Sequence, residues 1–580
     1  MAAARASIGD RALRRRDDDA PGRRARRRPR QPREGAVGAA RVRRLARALP
    51  AGSLLAGVTR RVRGALLVAA AAALLILPPL GQRVIAPSDE ARFVLYARGV
   101  LERQAPFDVR VRAKLFREKP PLYAWLIALA SLPVGRVTEA TAQLPIALAA
   151  IAAVAFTFLI GEALLGLRVG ALGGLALAVT YGFFEHSQLL LPDMLVVAFT
   201  CAAVYALVVW QRAAPPRRGA AVGFYVATAA AVYAKGPVGL LPFLVGGVWL
   251  WAEHGPAGLR RLWSAPGALA FVAVTLTWIV PFLMLGGGTF AEVVVWEDWI
   301  RWYVGRPRLD NLLIDAAKMC LPWTLLLPLV LAAAIRRRRA PVVRLLLAWF
   351  LVSFFVIVPI ANQRTRYLLP MTPPLALLVA WWSTAEIAAF RLARRTLAAL
   401  ALIAGCVMLA VIVRPQSLGA SEPPYLTGFG WSSVPLVAAV ALFTGALAAG
   451  LHAAAPRVLM YGVVAAMALA LGYGIWPYNR TFNAVWDFPG LAAAVERHAG
   501  GREVGVFGGR WFALDYYLGR PVYSAQTLGE FTDYVTRPEH PVVVTNGRTW
   551  RGIRASTGTD LRVLEEKPVG GQTMVILRAN

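Results

Sequence analysis

The chain has 580 residues, 57% of them hydrophobic and 17% charged, with a mean hydropathy of +0.53 and a formal net charge of +32. That balance excludes an ordinary soluble domain and places the chain among polytopic membrane proteins. The charge is uneven: residues 1–63 hold 19 Arg against 4 Asp and 1 Glu, a surplus of 14.

An Arg-rich arm can bind nucleic acid, but such a run is more often a solvated tail that fixes orientation and touches anionic lipid. Residues 1–63 therefore read as a disordered cytoplasmic tail with no nucleic-acid partner. No small-x-small site follows the first apolar run, so a cleaved leader is not expected. Cys201, Cys320 and Cys406 stand in or beside apolar segments and read as small core hydrophobes.

In chain order, Gly64 to Pro79 is the first span, and Pro87 to Pro121 is a polar loop between two apolar regions. Further apolar segments fall near 142–162, 169–185, 192–210, 221–234, 237–252, 267–285, 319–335, 342–360, 368–388, 396–413, 433–452 and 457–476. With the first, that makes about thirteen spans. The segment 121–134 is short, in the range of interfacial segments. With the N-terminus inside and 121–134 not crossing, the connections holding Arg168, Arg217 and Arg218, Arg260 and Arg261, Arg336 to Arg339, Arg394 and Arg395, and Arg457 all fall on the cytoplasmic face. That is the positive-inside pattern, and it puts the 87–121 loop and the C-terminus outside.

From about residue 477 the composition turns soluble. EVGVFG (503–508), PVVVT (541–545), LRVLEE (561–566) and TMVILR (573–578) read as strands, with helices over 491–500, 510–519 and 527–535. The chain thus reads as a 1–63 tail, a 64–476 transmembrane domain whose outer loop 87–121 carries the chemistry, and a 477–580 extracytoplasmic α/β domain.

Under this topology the informative polar residues gather on one side. They are Asp89, Glu90, Arg92, Glu118, Lys119, Asp193, Lys235, Glu297, Arg301, Arg364, Arg366 and Tyr367. An ionised group at membrane depth costs roughly 2.5–3.5 kcal/mol even on insertion scales, so such residues either function or snorkel. Each has a plainer reading: Asp89 and Glu90 cap an interfacial helix, Asp193 sits in a first turn, Lys235 is a boundary lysine. WEDWIRW is an aromatic belt, and Arg364 with Arg366 binds lipid headgroups. Together they suit a lipid-linked phosphate, with cations holding the phosphate and a carboxylate taking a proton from an attacking hydroxyl.

The motifs SDEAR (88–92), FREKPPLYAWL (116–126), LPIALAAI (144–151), LLPDML (190–195), YAKGPVGLLP (233–242), WEDWIRWYVG (296–305), RTRYLLPMTPPLALL (364–378) and LDYYLGRPV (514–522) occur in this order. In that order the chain resembles the GT-C integral-membrane glycosyltransferases, especially the lipid A aminoarabinose transferases, and more distantly the protein O-mannosyltransferases of glycosyltransferase family 39. The resemblance implies a polytopic α-helical GT-C fold in a bacterial inner membrane. It also implies transfer of a sugar, with inversion, from a polyprenyl-phosphate carrier to lipid A, another glycan or glycolipid, or a protein. By the same resemblance Asp89 is the leading catalytic carboxylate and Asp193 a second acid. Lys119, Lys235 and Arg301 neutralise the phosphate, and Glu118 stands where some relatives help hold a divalent metal. This chain has Asp298 after Glu297 where many relatives have histidine, so no metal set is assigned. A rival reading is a transporter or flippase of an anionic lipid-linked substrate, using the same cations; it predicts midplane sites and repeated halves, and no internal repeat is visible.

Overall fold

The structure is a computed structural model that describes residues 51–87, 89–102, 106–107, 110–112, 114–115, 119–286, 296, 311–358, 360, 364–413, 434–556 and 561–579. The chain divides into Met1–Thr59 and Arg60–Asn580.

Seven described helical segments are long and apolar enough to cross a membrane, or eight if Leu167–Ala178 and Tyr181–Ser187, bent by 62°, form one broken span. The seven include Glu139–Leu165, Asp193–Arg212, Ala265–Leu285, Thr365–Ala385, Arg391–Leu409 and Val434–Ala453. A count of thirteen needs the helix Ala51–Ile76 and the shorter apolar helices as well, and the shortness of the latter has local causes. The segments 221–234 and 237–252 are the helices Arg218–Lys235 and Leu241–His254, parted at Gly236-Pro237, and the 319–335 segment is α-helical only over Leu327–Arg336, after Pro322 and a 3-10 turn at Trp323–Leu325. Proline lacks the N–H that would continue the ladder. Leu122–Val134 is an apolar segment of 13 residues, about 20 Å at 1.5 Å per residue.

Thr365–Ala385 is the most enclosed span; Ala265–Leu285 and Arg391–Leu409 are the most open. Leu269, Leu402, Ile403 and Val407 are exposed on the apolar stretches of these helices, and such a face belongs against lipid.

The 87–121 segment opens with the helix Asp89–Leu101 and then forms a short antiparallel hairpin of β1 (Arg110–Val111) and β2 (Lys114–Leu115). Tyr96 Oη and Trp125 Nε1 both donate to Pro106 O, at 2.9 and 3.3 Å. Phe107 then meets Trp125 at 5.0 Å and Phe282 at 5.8 Å, with Tyr233 and Trp278 completing the cluster. Tilted aromatic contacts of this kind each add about 0.5–1.5 kcal/mol beyond their buried area, so this part of the segment is held against the spans rather than loose.

After the long helix Pro456–Val485 comes the α/β layer. Its sheet holds β3 (Val504–Phe507), β4 (Tyr523–Ala525), β5 (Val542–Asn546), β6 (Leu561–Val569) and β7 (Gln572–Ala579), in the order β4-β3-β5-β7-β6. β3 pairs parallel with β4 and β5, through helices Phe512–Leu518 and Leu528–Val535. β7 closes antiparallel on β5 and on β6. All four strands read from the sequence are present. β4 and the helix Gly547–Ser556 are additions, and both are short or weakly apolar.

Candidate active site

The site is built from the ends of four elements. Asp89 opens the helix Asp89–Leu101, Asp193 opens Asp193–Arg212, Lys235 closes Arg218–Lys235, and Arg366 with Tyr367 lies in the 3-10 turn Thr365–Met371. An acidic residue in a first turn and a lysine in a last turn both complement the helix dipole. Gly236, at φ 80, caps the lysine's helix, and its N–H bonds to Val232 O at 2.6 Å. A positive-φ glycine followed by proline stops the helix at this residue.

The side chains form one charged chain. Arg366 Nη2 donates to Asp89 Oδ2 at 3.1 Å, and Arg366 Nε stands 3.8 Å from Asp193 Oδ2. Lys235 Nζ donates to the other oxygen of Asp193 and sits 4.5 Å over the Tyr367 ring. Arg92 lies 3.6 Å from Asp89, and Lys119 is within electrostatic reach of Lys235. Asp89 is open, its side chain 45% exposed, whereas that of Asp193 is 7% exposed. Asp193 Oδ2 and Arg366 Nε are buried, too far apart to share a hydrogen bond, and make none elsewhere. Both residues line a small cavity with Lys235, Val196, Tyr367 and Pro370. Buried polar atoms left open beside a cavity mark where a ligand oxygen or an ordered water belongs.

Glu90, although adjacent to Asp89, points elsewhere. It is 4% exposed and accepts from Arg83 Nη2 at 2.5 and 2.7 Å, from Ala86 N at 3.0 Å and from Leu190 N at 3.2 Å. Gln188 extends the network to Gln143 and to Ile76 O. Arg364 is exposed and His186 is buried, its Nδ1 donating to Gly182 O at 2.7 Å. Glu118, Glu297 and Arg301 lie outside the described residues. Among the described residues no group of three His, Cys, Asp or Glu could hold a metal.

Three supporting residues escape a reading of charges alone. Arg83 lies just before the loop, and its role depends on a glutamate seven residues later. Arg112, at φ 53 in the hairpin turn, donates to Asp515 Oδ2 at 2.7 Å and to Trp511 O at 3.2 Å, and lies 4.6 Å over Phe512. Burial pushes the Asp515 carboxyl up to about 6, outweighing the opposite pull of Arg112. Only the motif LDYYLGRPV, which contains Asp515, points to this joint in advance.

Residues 118–285 match the family model described as dolichyl-phosphate-mannose-protein mannosyltransferase. That range includes Lys119, Asp193 and Lys235. No curated protein compared by sequence matches the chain. Among solved structures, ArnT from Cupriavidus metallidurans bound to undecaprenyl phosphate superposes with a TM-score of 0.71 at 18% identity, covering 88% of this chain and 97% of that one. Its apo form gives 0.71 and 18%, over 90% and 98%. The apo oligosaccharyltransferase of Archaeoglobus fulgidus follows at 0.46 and 10%, over 84% and 69%. The likeness read from short motifs thus extends to the whole architecture, and the chain has a GT-C-type fold with a small C-terminal sheet.

Proposed function

We propose that the chain is an inverting glycosyltransferase that moves a sugar from a polyprenyl-phosphate carrier to an envelope acceptor at the outer face of the inner membrane. The observation that carries this reading is the cluster of Asp89, Arg366, Asp193 and Lys235, a solvent-facing carboxylate joined through cations to a buried one. The family-model match and the likeness to ArnT with undecaprenyl phosphate support the donor class.

Charge balance gives the cluster its chemistry. Arg92, Lys235 and Arg366 pair with Asp89 and Asp193, leaving one positive charge in excess, and Lys119 near Lys235 makes it two. A sugar phosphodiester carries one negative charge; when its anomeric C–O bond breaks, the departing polyprenyl phosphate carries two. Fixed cations therefore bind the leaving group more strongly than the donor, which lowers the barrier. Asp89, open to solvent, takes the proton of the acceptor hydroxyl as its oxygen attacks the anomeric carbon opposite the phosphate. Asp193 holds Lys235 and Arg366 in place for the phosphate. Glu90 sets the entry of the helix that carries Asp89.

The test is turnover of an undecaprenyl-phosphate-linked sugar, with mass comparison of envelope glycolipids and glycoproteins in cells with and without the chain. Asp89→Asn should lower turnover by about 10²–10⁴ with carrier binding kept. No mass difference in any envelope fraction, or an Asp89→Asn protein that turns over normally, would overturn the proposal.

A further inference from the structure

A second cleft lies where the α/β layer meets the end of the last long helix. Its walls include Trp486, Phe488, Arg510, Trp511 and Gln572, beside the apolar Val569 and Met574, and Pro87, which stands two residues before Asp89. The Ala513 N–H bonds to Pro87 O at 3.3 Å, tying the cleft to the start of the reactive helix. None of these residues takes part in the ion-paired cluster.

The aromatic walls are fixed. Trp486 stacks on the buried Phe488 at 6.4 Å with 8° between planes. Gly570, at φ 64, also packs against this indole: a Cβ there would come within 2.2 Å of it, and the Gly570 N–H bonds to Val485 O at 2.7 Å. The β6–β7 turn is thus shaped around this one ring. Trp511 folds back over Gly509 and is held further through its carbonyl by Arg112. Arg510 and Gln572, both exposed, supply planar polar groups at the rim.

Rigid indole faces with planar donors at the edge match one ligand chemistry above others. A pyranose offers a C–H face that lies on an aromatic ring and vicinal hydroxyls that bridge a guanidinium or an amide. An extended peptide is held chiefly by main-chain bonds to a sheet edge, and this cleft is walled by side chains. We infer that the cleft between Trp486 and Trp511 is a saccharide-binding subsite that seats a sugar ring of the acceptor next to Asp89. The acceptor assignment rests on the transferase reading; saccharide binding itself does not.

The experiment uses the full chain in a detergent without a sugar headgroup, and saturation-transfer NMR with methyl glycosides of glucose, galactose, mannose and N-acetylglucosamine. At least one glycoside should receive saturation from the wild type. Arg510→Ala and Gln572→Ala, at exposed positions where folding is kept, should each weaken its binding about tenfold or more. Trp511→Ala should abolish the signal, and undecaprenyl phosphate binding, measured in parallel, should be unchanged in all three. Transfer to none of the glycosides, equal transfer in wild type and variants, or transfer instead to an unglycosylated Ser/Thr-rich peptide that the same substitutions remove would each overturn the subsite. Glycoside binding that behaves as expected in a protein that fails to bind undecaprenyl phosphate would support the cleft and remove the transferase reading.

Discussion

Replacing Glu90 with Gln keeps its volume and removes its charge, and the structure sets what that should do. The Arg83 and Glu90 side chains are 6% and 5% exposed, and the carboxylate accepts from Arg83, Ala86 and Leu190. After substitution the amide oxygen can still accept from Arg83, but no negative charge balances the guanidinium, whose other partners are the Gln188 carbonyl at 3.5 Å and the face of Phe482 at 4.7 Å. Stranding a buried cation costs about 3–5 kcal/mol. With an unfolding entropy near 2.1 cal/mol/K per residue over a cooperative unit of about 400 residues, that lowers Tm by about 5 °C. The assay is thermal unfolding of the purified protein in detergent, run beside the double variant Arg83→Met with Glu90→Gln. The double variant no longer strands a charge and should recover most of the loss. Equal Tm in wild type and Glu90→Gln, with altered substrate affinity instead, would show that Glu90 contacts substrate and refute the positioning role.

Lys235→Ala and Lys119→Ala should each weaken undecaprenyl phosphate binding by about tenfold or more, the loss of a charge-assisted contact of roughly 1.5–3 kcal/mol; unchanged affinity in both would remove the phosphate assignment. The Asp515 carboxyl, at 3.8 in the unfolded chain and about 6 when folded, binds its proton more tightly in the native state. Its contribution is therefore complete below pH 4 and lost as pH rises through 6. The wild type should gain Tm between pH 7.5 and 5 relative to Asp515→Asn, and identical pH profiles would count against the buried pair. Cysteines introduced at 215 and 338 should be labelled only in permeabilised cells, and one at 550 in intact cells; labelling of the first two from outside would invert the proposed topology.

The spans and the main charges of the site are legible in the sequence for one reason: an ionisable side chain near hydrocarbon is costly and rarely accidental. Asp193, Lys235 and Arg366 stand at breaks in apolar runs, so composition alone isolates them, and the structure joins them within a few ångströms. Arg83 and Arg112 stand among many arginines, and nothing local separates the two that are buried from those that are solvated. Their partners are 7 and 403 residues away.

The paired acids Asp89 and Glu90 show the limit most directly. Read as sequence they form one motif, yet successive residues in an α-helix are turned by about 100°, so the two side chains point in different directions. Here one of them turns toward the protein, where a buried carboxylate needs a cation and backbone donors for its oxygens. Arg83, Ala86 and Leu190 supply them to Glu90, and that fixes the rotation of the whole helix. With the rotation fixed, Asp89 can only face outward, toward Arg366 and Arg92. The open acid is thus selected by its buried neighbour. A substitution at Glu90 should therefore disturb Asp89 without touching it, whereas one at Asp89 should leave the Arg83–Glu90 pair intact.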